Sequence, residues 1–194
     1  MPAGTVAIVS EAILDAAVRC FDRQGVRTTT IDDIAAQAGV SRITVYRQAG
    51  TREQVVLGAL LLVTRRHLDR TVPRLLGAAS VHAALVELVL ATERAARNGH
   101  THAILFSHEE RGALGGAIPG ASRPLVELFA HAVGRIVDAV PGGLADGVTV
   151  PLGGEVVLRV VLSVLTFEPP TRRSATTHRA VVSRLLRSVA DPLP

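Results

Sequence analysis

Apolar residues recur along this chain at intervals of three and four, the spacing of one helical face. Ile13, Ala16, Ala17, Cys20 and Phe21 form the first stripe. They predict a helix capped by Ser10, closed by Gly25 and preceded by a short flexible tail over residues 1–9. Ile31, Ile34, Ala35 and Ala38 make a second, shorter stripe behind a Thr30 N-cap. Gly39 follows where the chain must reverse, a position that often needs φ > 0. Ser41 then caps a third helix, with Val40, Thr44 and Val45 as its buried side. Thr51 and Gln54 have the spacing of a capping box and open a long helix that reaches about Leu76.

Helical spacing continues beyond. Val81, Leu85, Leu88, Val89 and Thr92 share one face. Leu125, Leu128, Phe129, Ala132, Val133, Ile136, Val137 and Val140 hold the period over about four turns until Pro141-Gly142-Gly143 stops it. Residues 155–167 are nearly all Val and Leu, a composition that also suits a buried strand. The helical surroundings favour a helix there, ended by Pro169-Pro170. Residues 176–189 form a last amphipathic helix through Val182, Leu185, Leu186 and Val189. The fold class is all-α. A three-helix N-terminal domain over residues 1–52 precedes a larger helical domain over 53–194, with about nine helices in all.

Residues 28–53 carry the most specific chemistry. Two short helices joined by a tight glycine turn, with small Ala35 where they approach, make a helix-turn-helix, whose second helix enters a DNA major groove. An ordinary antiparallel helix pair is the competing reading. The Thr-Thr run, the outward Tyr46-Arg47 and the order of the flanking helices decide against it. Phe21, Gly25, Thr29-Thr30-Ile31, Ile34-Ala35, Ala38-Gly39-Val40-Ser41, Thr44, Tyr46 and Glu53 together resemble the tetracycline-repressor (TetR) family of transcriptional regulators, over roughly residues 10–56.

The resemblance implies DNA contacts at the start of the second helix and along the third. Thr30 would offer a hydroxyl and a helix N-terminus to a phosphate. The fork of Arg42 suits both acceptors of a guanine, and Ile43 would touch a thymine methyl. Thr44 would do the same or simply pack. Tyr46 would meet the phosphate backbone, with Arg47 and Arg52 on phosphates to either side. Four positions depart from the family pattern. Ile43 stands where a small residue is usual, which leaves a core role open. Gln48-Ala49 replaces an aromatic pair whose Phe packs the end of the third helix. Arg52 replaces a Lys and keeps its charge.

Composition narrows the alternatives. All 21 basic residues are Arg, so neither a Walker A lysine nor a Schiff-base lysine exists. The glycines of residues 111–121 therefore read as a loop and not a nucleotide cradle. A net charge of +4 is modest. Arg27, Arg42, Arg47 and Arg52 gather about the helix-turn-helix, partly offset by Asp32 and Asp33. Cys20 is single and sits in an apolar stripe, which suits a core residue in a reducing cytoplasm. No signal peptide is visible, and the apolar run 55–63 is too short to span a bilayer.

The larger domain is expected to serve dimerisation and ligand sensing. One small helix-turn-helix reads few base pairs, and a homodimer on an inverted-repeat operator gains selectivity by pairing half-sites. The last two helices are apolar enough to pair with their copies as a four-helix bundle, an arrangement the resemblance also implies. Residues 57–140 would enclose a pocket for a small-molecule effector. Few aromatics argue against a stacking cage, and aliphatic walls with Phe106 and Phe129 suit a greasy ligand. Arg159, inside a Val-rich segment, pairs with Glu155 four residues earlier or else reads a ligand carboxylate. His100, His102 and His108 with Glu109 and Glu110 lack metal-ligand spacing, so no metal and no cofactor are expected. A ligand-responsive repressor is the first reading. A non-specific architectural DNA protein, lacking the broad basic face it would need, and a metal-dependent hydrolase built on His108 and Glu109 are the alternatives.

Overall fold

The computed structural model describes residues 3–98, 118–166 and 174–191, with side chains at 11–97, 123–166 and 174–191. Eight helices and no strand lie among the described residues: α1 (Ala3–Gln24), α2 (Ile31–Ala38), α3 (Arg42–Ala49), α4 (Arg52–Leu75), α5 (Val81–Asn98), α6 (Ile118–Ala139), α7 (Val150–Thr166) and α8 (Ala175–Leu186). The Val-rich segment is thus helical, as its surroundings required. Phe106, His100, His102, His108, Glu109, Glu110 and Pro169-Pro170 lie outside the described residues.

One boundary differs from expectation. The backbone of α1 is already helical at Ala3 and runs through Ser10, so Ser10 is not its cap and residues 3–9 are not a tail. Gly4 and the β-branched Thr5, Val6, Ile8 and Val9 are weak helix formers, but no proline in that stretch stops a helix. The other end is as expected: Gly25 takes φ 86°, and its N–H donates to Phe21 O at 2.9 Å.

The chain divides into two compact units, residues 1–64 with 98–122 and residues 65–97 with 123–194. In the first, α1 packs on both α2 and α3. Ile13, Phe21, Val26, Ile34 and Val45 are fully enclosed, with Val55 and Ala59 from the start of α4. Burying a large aliphatic or aromatic side chain contributes about 1.5–3 kcal/mol, so a domain with helices this short depends on this cluster. Cys20 is buried, and that burial raises its thiol pKa. Val45 is the buried residue of α3, while Val40 and Thr44 are half-exposed.

The second unit is held by the predicted stripes. Leu85, Leu88, Val89, Phe129, Val133, Ile136, Val157 and Val161 are all buried. Leu185 leaves its stripe and is 45% exposed. Two buried polar bridges join elements far apart in sequence. His82 places Nδ1 2.8 Å from Ala190 O and Nε2 2.9 Å from Ser183 Oγ. A carbonyl can only accept, so Nδ1 carries the proton and, in the neutral ring, Nε2 accepts from the serine hydroxyl. Glu93, 8% exposed, accepts from Arg97 Nε at 3.1 Å and lies 2.6 Å from His178 Nε2. Arg97 also donates to Val164 O, which ties α5 to the end of α7.

Candidate nucleic-acid interface

The presentation of α3 begins with the loop before α2. Thr29 Oγ1 donates to Gly25 O at 2.7 Å. Thr30 adopts extended backbone and caps α2 through a reciprocal box. Asp33 N–H donates to Thr30 Oγ1 at 3.1 Å, and Thr30 N–H donates to Asp33 Oδ2 at 2.8 Å. The Thr30 hydroxyl itself points its proton at Asp33 Oδ2, 2.6 Å away. The Thr30 hydroxyl, expected on a phosphate, is therefore committed inside the cap. Free N–H groups in the first turn of α2 remain for an anion.

In the sequence Asp33 offsets nearby positive charge, and Thr-x-x-Asp also has capping-box spacing. Hydrogen bonds from the Thr30 side chain and backbone hold its carboxyl below the ordinary aspartate range. A depressed folded pKa contributes stability that is present above the unfolded value, about 3.9, and lost as pH falls through the folded one. The amide signals of Thr30 and Asp33 are therefore expected to titrate together, at a pH below 3.9, and Asp33→Asn should abolish the step. A midpoint at or above the ordinary value would refute the box.

The turn closes as predicted. Gly39 has φ 68° and ψ 30°, and its N–H reaches the carbonyls of the last turn of α2. Val40 N–H donates to Ala35 O at 3.0 Å. Ser41 then caps α3, accepting from Thr44 N–H at 3.1 Å, while the two hydroxyls lie 2.8 Å apart. Thr44 thus supports the helix start. Gly50 ends α3 at φ 82°. A Cβ there would stand 2.0 Å from Gln54 Oε1, the atom that accepts from Thr51 N–H in the cap of α4.

These caps leave one face of α3 outward. Ile43 is 76% exposed and Tyr46 44% exposed, so neither is a core residue. Arg42 and Arg47 flank them, both exposed. The Arg42 guanidinium carbon lies 5.6 Å from the centre of the Tyr46 ring, one turn along the same helix. Arg42 Nη1 also lies 3.6 Å from Asp32 Oδ2 on α2. Contact with Tyr46 and then the Asp32 carboxylate push the guanidinium pKa further up. Apolar, aromatic and cationic groups standing together in water on an eight-residue helix match what a base-pair edge and its flanking phosphates require.

Arg52 occupies a different place from the one expected. It is half-buried, and its fork turns into the loop before α2. There it donates to Val26 O at 2.5 Å, Thr29 O at 3.4 Å and Arg27 O at 3.5 Å. It clamps the loop that carries the Thr30 cap to the start of α4. The sequence shows only a cation, because the clamp depends on where three loop carbonyls point. Arg52→Lys keeps the charge but loses the fork, and it is expected to lower stability by about 1–2 kcal/mol in chemical denaturation. Unchanged stability with a flatter salt dependence of DNA binding would return Arg52 to the phosphate contacts.

Residues 13–59, the segment that forms this geometry, match the family of bacterial regulatory proteins, tetR family. Over this segment the chain is a tetR-family DNA-binding domain. An uncharacterized HTH-type transcriptional regulator of Mycobacterium tuberculosis, in strains CDC 1551 / Oshkosh and H37Rv, is 26% identical to it over 185 residues, covering 95% of this chain and 87% of its own. Among solved structures, the TetR family repressor AlkX from Dietzia sp. strain DQ12-45-1b, implicated in biodegradation of n-alkanes, matches with a TM-score of 0.67 at 17% identity, covering 93% of this chain and 96% of that one. The transcriptional regulator FadR from Bacillus subtilis, in complex with stearoyl-CoA, matches with a TM-score of 0.51 at 18% identity, covering 91% and 96%. The all-helical architecture and the helix-turn-helix reading stand, and the family is one of DNA-binding regulators, not of enzymes.

The second unit of the regulator places the ligand candidates apart. Phe129 is 2% exposed and packed in the core. Arg159 faces solvent, its Nε and Nη2 on Glu155 Oε1 at 3.0 and 2.6 Å, the i,i+4 pair and not a ligand contact. Neither lines the cavity of about 160 Å3 between the later part of α4 and α6. That cavity has Leu68, Val72, Leu128 and Ala132 as apolar walls and Arg65, Asp69, His131 and Arg135 around them. Among the described residues no three His, Cys, Asp or Glu side chains gather as a metal site would require, and no helix is long and apolar enough to cross a membrane.

Proposed function

We propose that the regulator is a cytoplasmic homodimeric repressor that holds an inverted-repeat operator and leaves it when a small, apolar molecule binds its second domain. The observation that carries the DNA half is the outward face of α3. Arg42 reads a guanine, Ile43 meets a thymine methyl, and Tyr46 and Arg47 meet the backbone. Thr30 contributes through the N-terminus of α2, and Thr44 by setting the start of α3. Residues 1–52 form the reader and 53–194 the sensing and dimerising part.

The half-exposed Leu152 on α7 and Leu185 on α8 support pairing with a second copy through these helices. A protein that sediments as a monomer at micromolar concentration would contradict the dimer. The ligand class rests on an aliphatic interior with only 3% aromatics. AlkX and FadR, two proteins of like fold, are associated with n-alkanes and stearoyl-CoA respectively. Thermal-shift titration with fatty acids and acyl-CoAs of graded chain length, followed by release from bound DNA, tests it. A ligand at a hundred times its Kd should add about 2.7 kcal/mol to stability. Shifts with no release would remove the effector role, and no shift at any length would remove the ligand class.

A further inference from the structure

Asp33 is committed to the Thr30 cap, whereas its neighbour Asp32 takes no part in it. Asp32 stands in the first turn of α2, where the helix N-terminus favours a carboxylate. The turn between α2 and α3 brings it to Arg42, the first residue of α3, with Oδ2 3.6 Å from Nη1. Both side chains are exposed, 69% and 59%, so the contact is not a by-product of burial. On its other side the guanidinium meets the Tyr46 ring, 5.6 Å to its centre. A flexible cation is thereby held at two points, one on each helix of the motif.

We propose that Asp32 is a positioning residue for sequence readout: its carboxylate holds the Arg42 guanidinium over Tyr46, aimed at a base edge and kept off the phosphates. This rests on Arg42 as the base reader. An unrestrained arginine satisfies its charge on any phosphate, whatever the sequence, and so strengthens non-specific binding. A fixed fork is worth most where two acceptors stand in the matching geometry, as on guanine. The carboxylate also repels every phosphate nearby. Asp32 thus weakens binding everywhere and weakens it least at the correct site.

The test measures affinity of the full chain for two duplexes of equal length, one enriched by the wild-type protein from a random pool and one of random sequence. Asp32→Asn is expected to tighten random DNA by about three- to tenfold and the enriched site by no more than about twofold, shrinking the ratio. In an Arg42→Ala background the same substitution should leave the ratio unchanged, because no guanidinium remains to position. A ratio that does not shrink in the wild-type background, whether from equal gains or from none, overturns the proposal. So does an equal shrinkage in the Arg42→Ala background, which would mark a helix-end effect of Asp32 alone. If the wild-type protein enriches no sequence, the base-reading role of Arg42 fails first and takes this proposal with it.

Discussion

Gly154→Ala is expected to lower the stability of the regulator by about 1–3 kcal/mol, a fall in melting temperature of roughly 3–10 °C. A Cβ at this position would lie 2.4 Å from Ala130 N, 2.5 Å from Ala130 Cα and 2.8 Å from Ala130 Cβ. The nearest of these atoms are backbone, so no side chain can swing away, and α6 and α7 must separate. Separation opens contacts around Val133 and Val157, both buried without remainder. Alanine gains about 1 kcal/mol over glycine in helix propensity, which the clash has to exceed. The neighbouring position supplies the control. A Cβ at Gly153 meets nothing closer than Val189 Cγ1 at 3.4 Å and Val133 Cγ1 at 3.5 Å. Gly153→Ala is therefore expected to melt at or slightly above the wild type. Equal falls at both positions would mean that backbone freedom, and not the close approach to Ala130, is what α7 requires there.

Arg42→Ala is expected to cost about 1–3 kcal/mol on the enriched operator and to relax the choice at one base position in each half-site. Its effect on random DNA should be smaller, because Asp32 and Tyr46 already engage the guanidinium away from phosphates. The fold should be indifferent: Arg42 is exposed, and the α3 cap is made by Ser41 and the Thr44 amide without it. Equal losses on both duplexes would make Arg42 a phosphate contact and end its role as a reader.

What could be read from the sequence was what local chemistry encodes. Thr30, Ser41 and the Thr51–Gln54 pair are capping signals within four residues of their partners, and each caps as its spacing required. Gly39 announces a left-handed turn because other residues avoid that conformation. The stripes at Leu85–Val89 and Phe129–Ile136 are buried because period alone selects a helical face. Leu185 lies on such a stripe and is half-exposed, since periodicity names a face without saying what will cover it.

Contacts between distant segments left no such mark. Arg52 reads as a phosphate cation until the carbonyls of Val26, Arg27 and Thr29 are seen around it. Glu93 and His178 are 85 positions apart, and no motif links them. Gly154 looks like one glycine in a Val-rich run until Ala130 is placed against it. Thr30 shows the converse: its place in the family pattern implied a phosphate hydroxyl, and the Asp33 three residues on takes that proton first.

Base reading by α3 is the centre of the proposed function. Selection of duplexes from a random pool by the full chain tests this most directly. An enriched inverted repeat is the expected result, with one position in each half-site turning degenerate when the selection is repeated with Arg42→Ala. Enrichment of no sequence, or a repeat indifferent to Arg42, would contradict it.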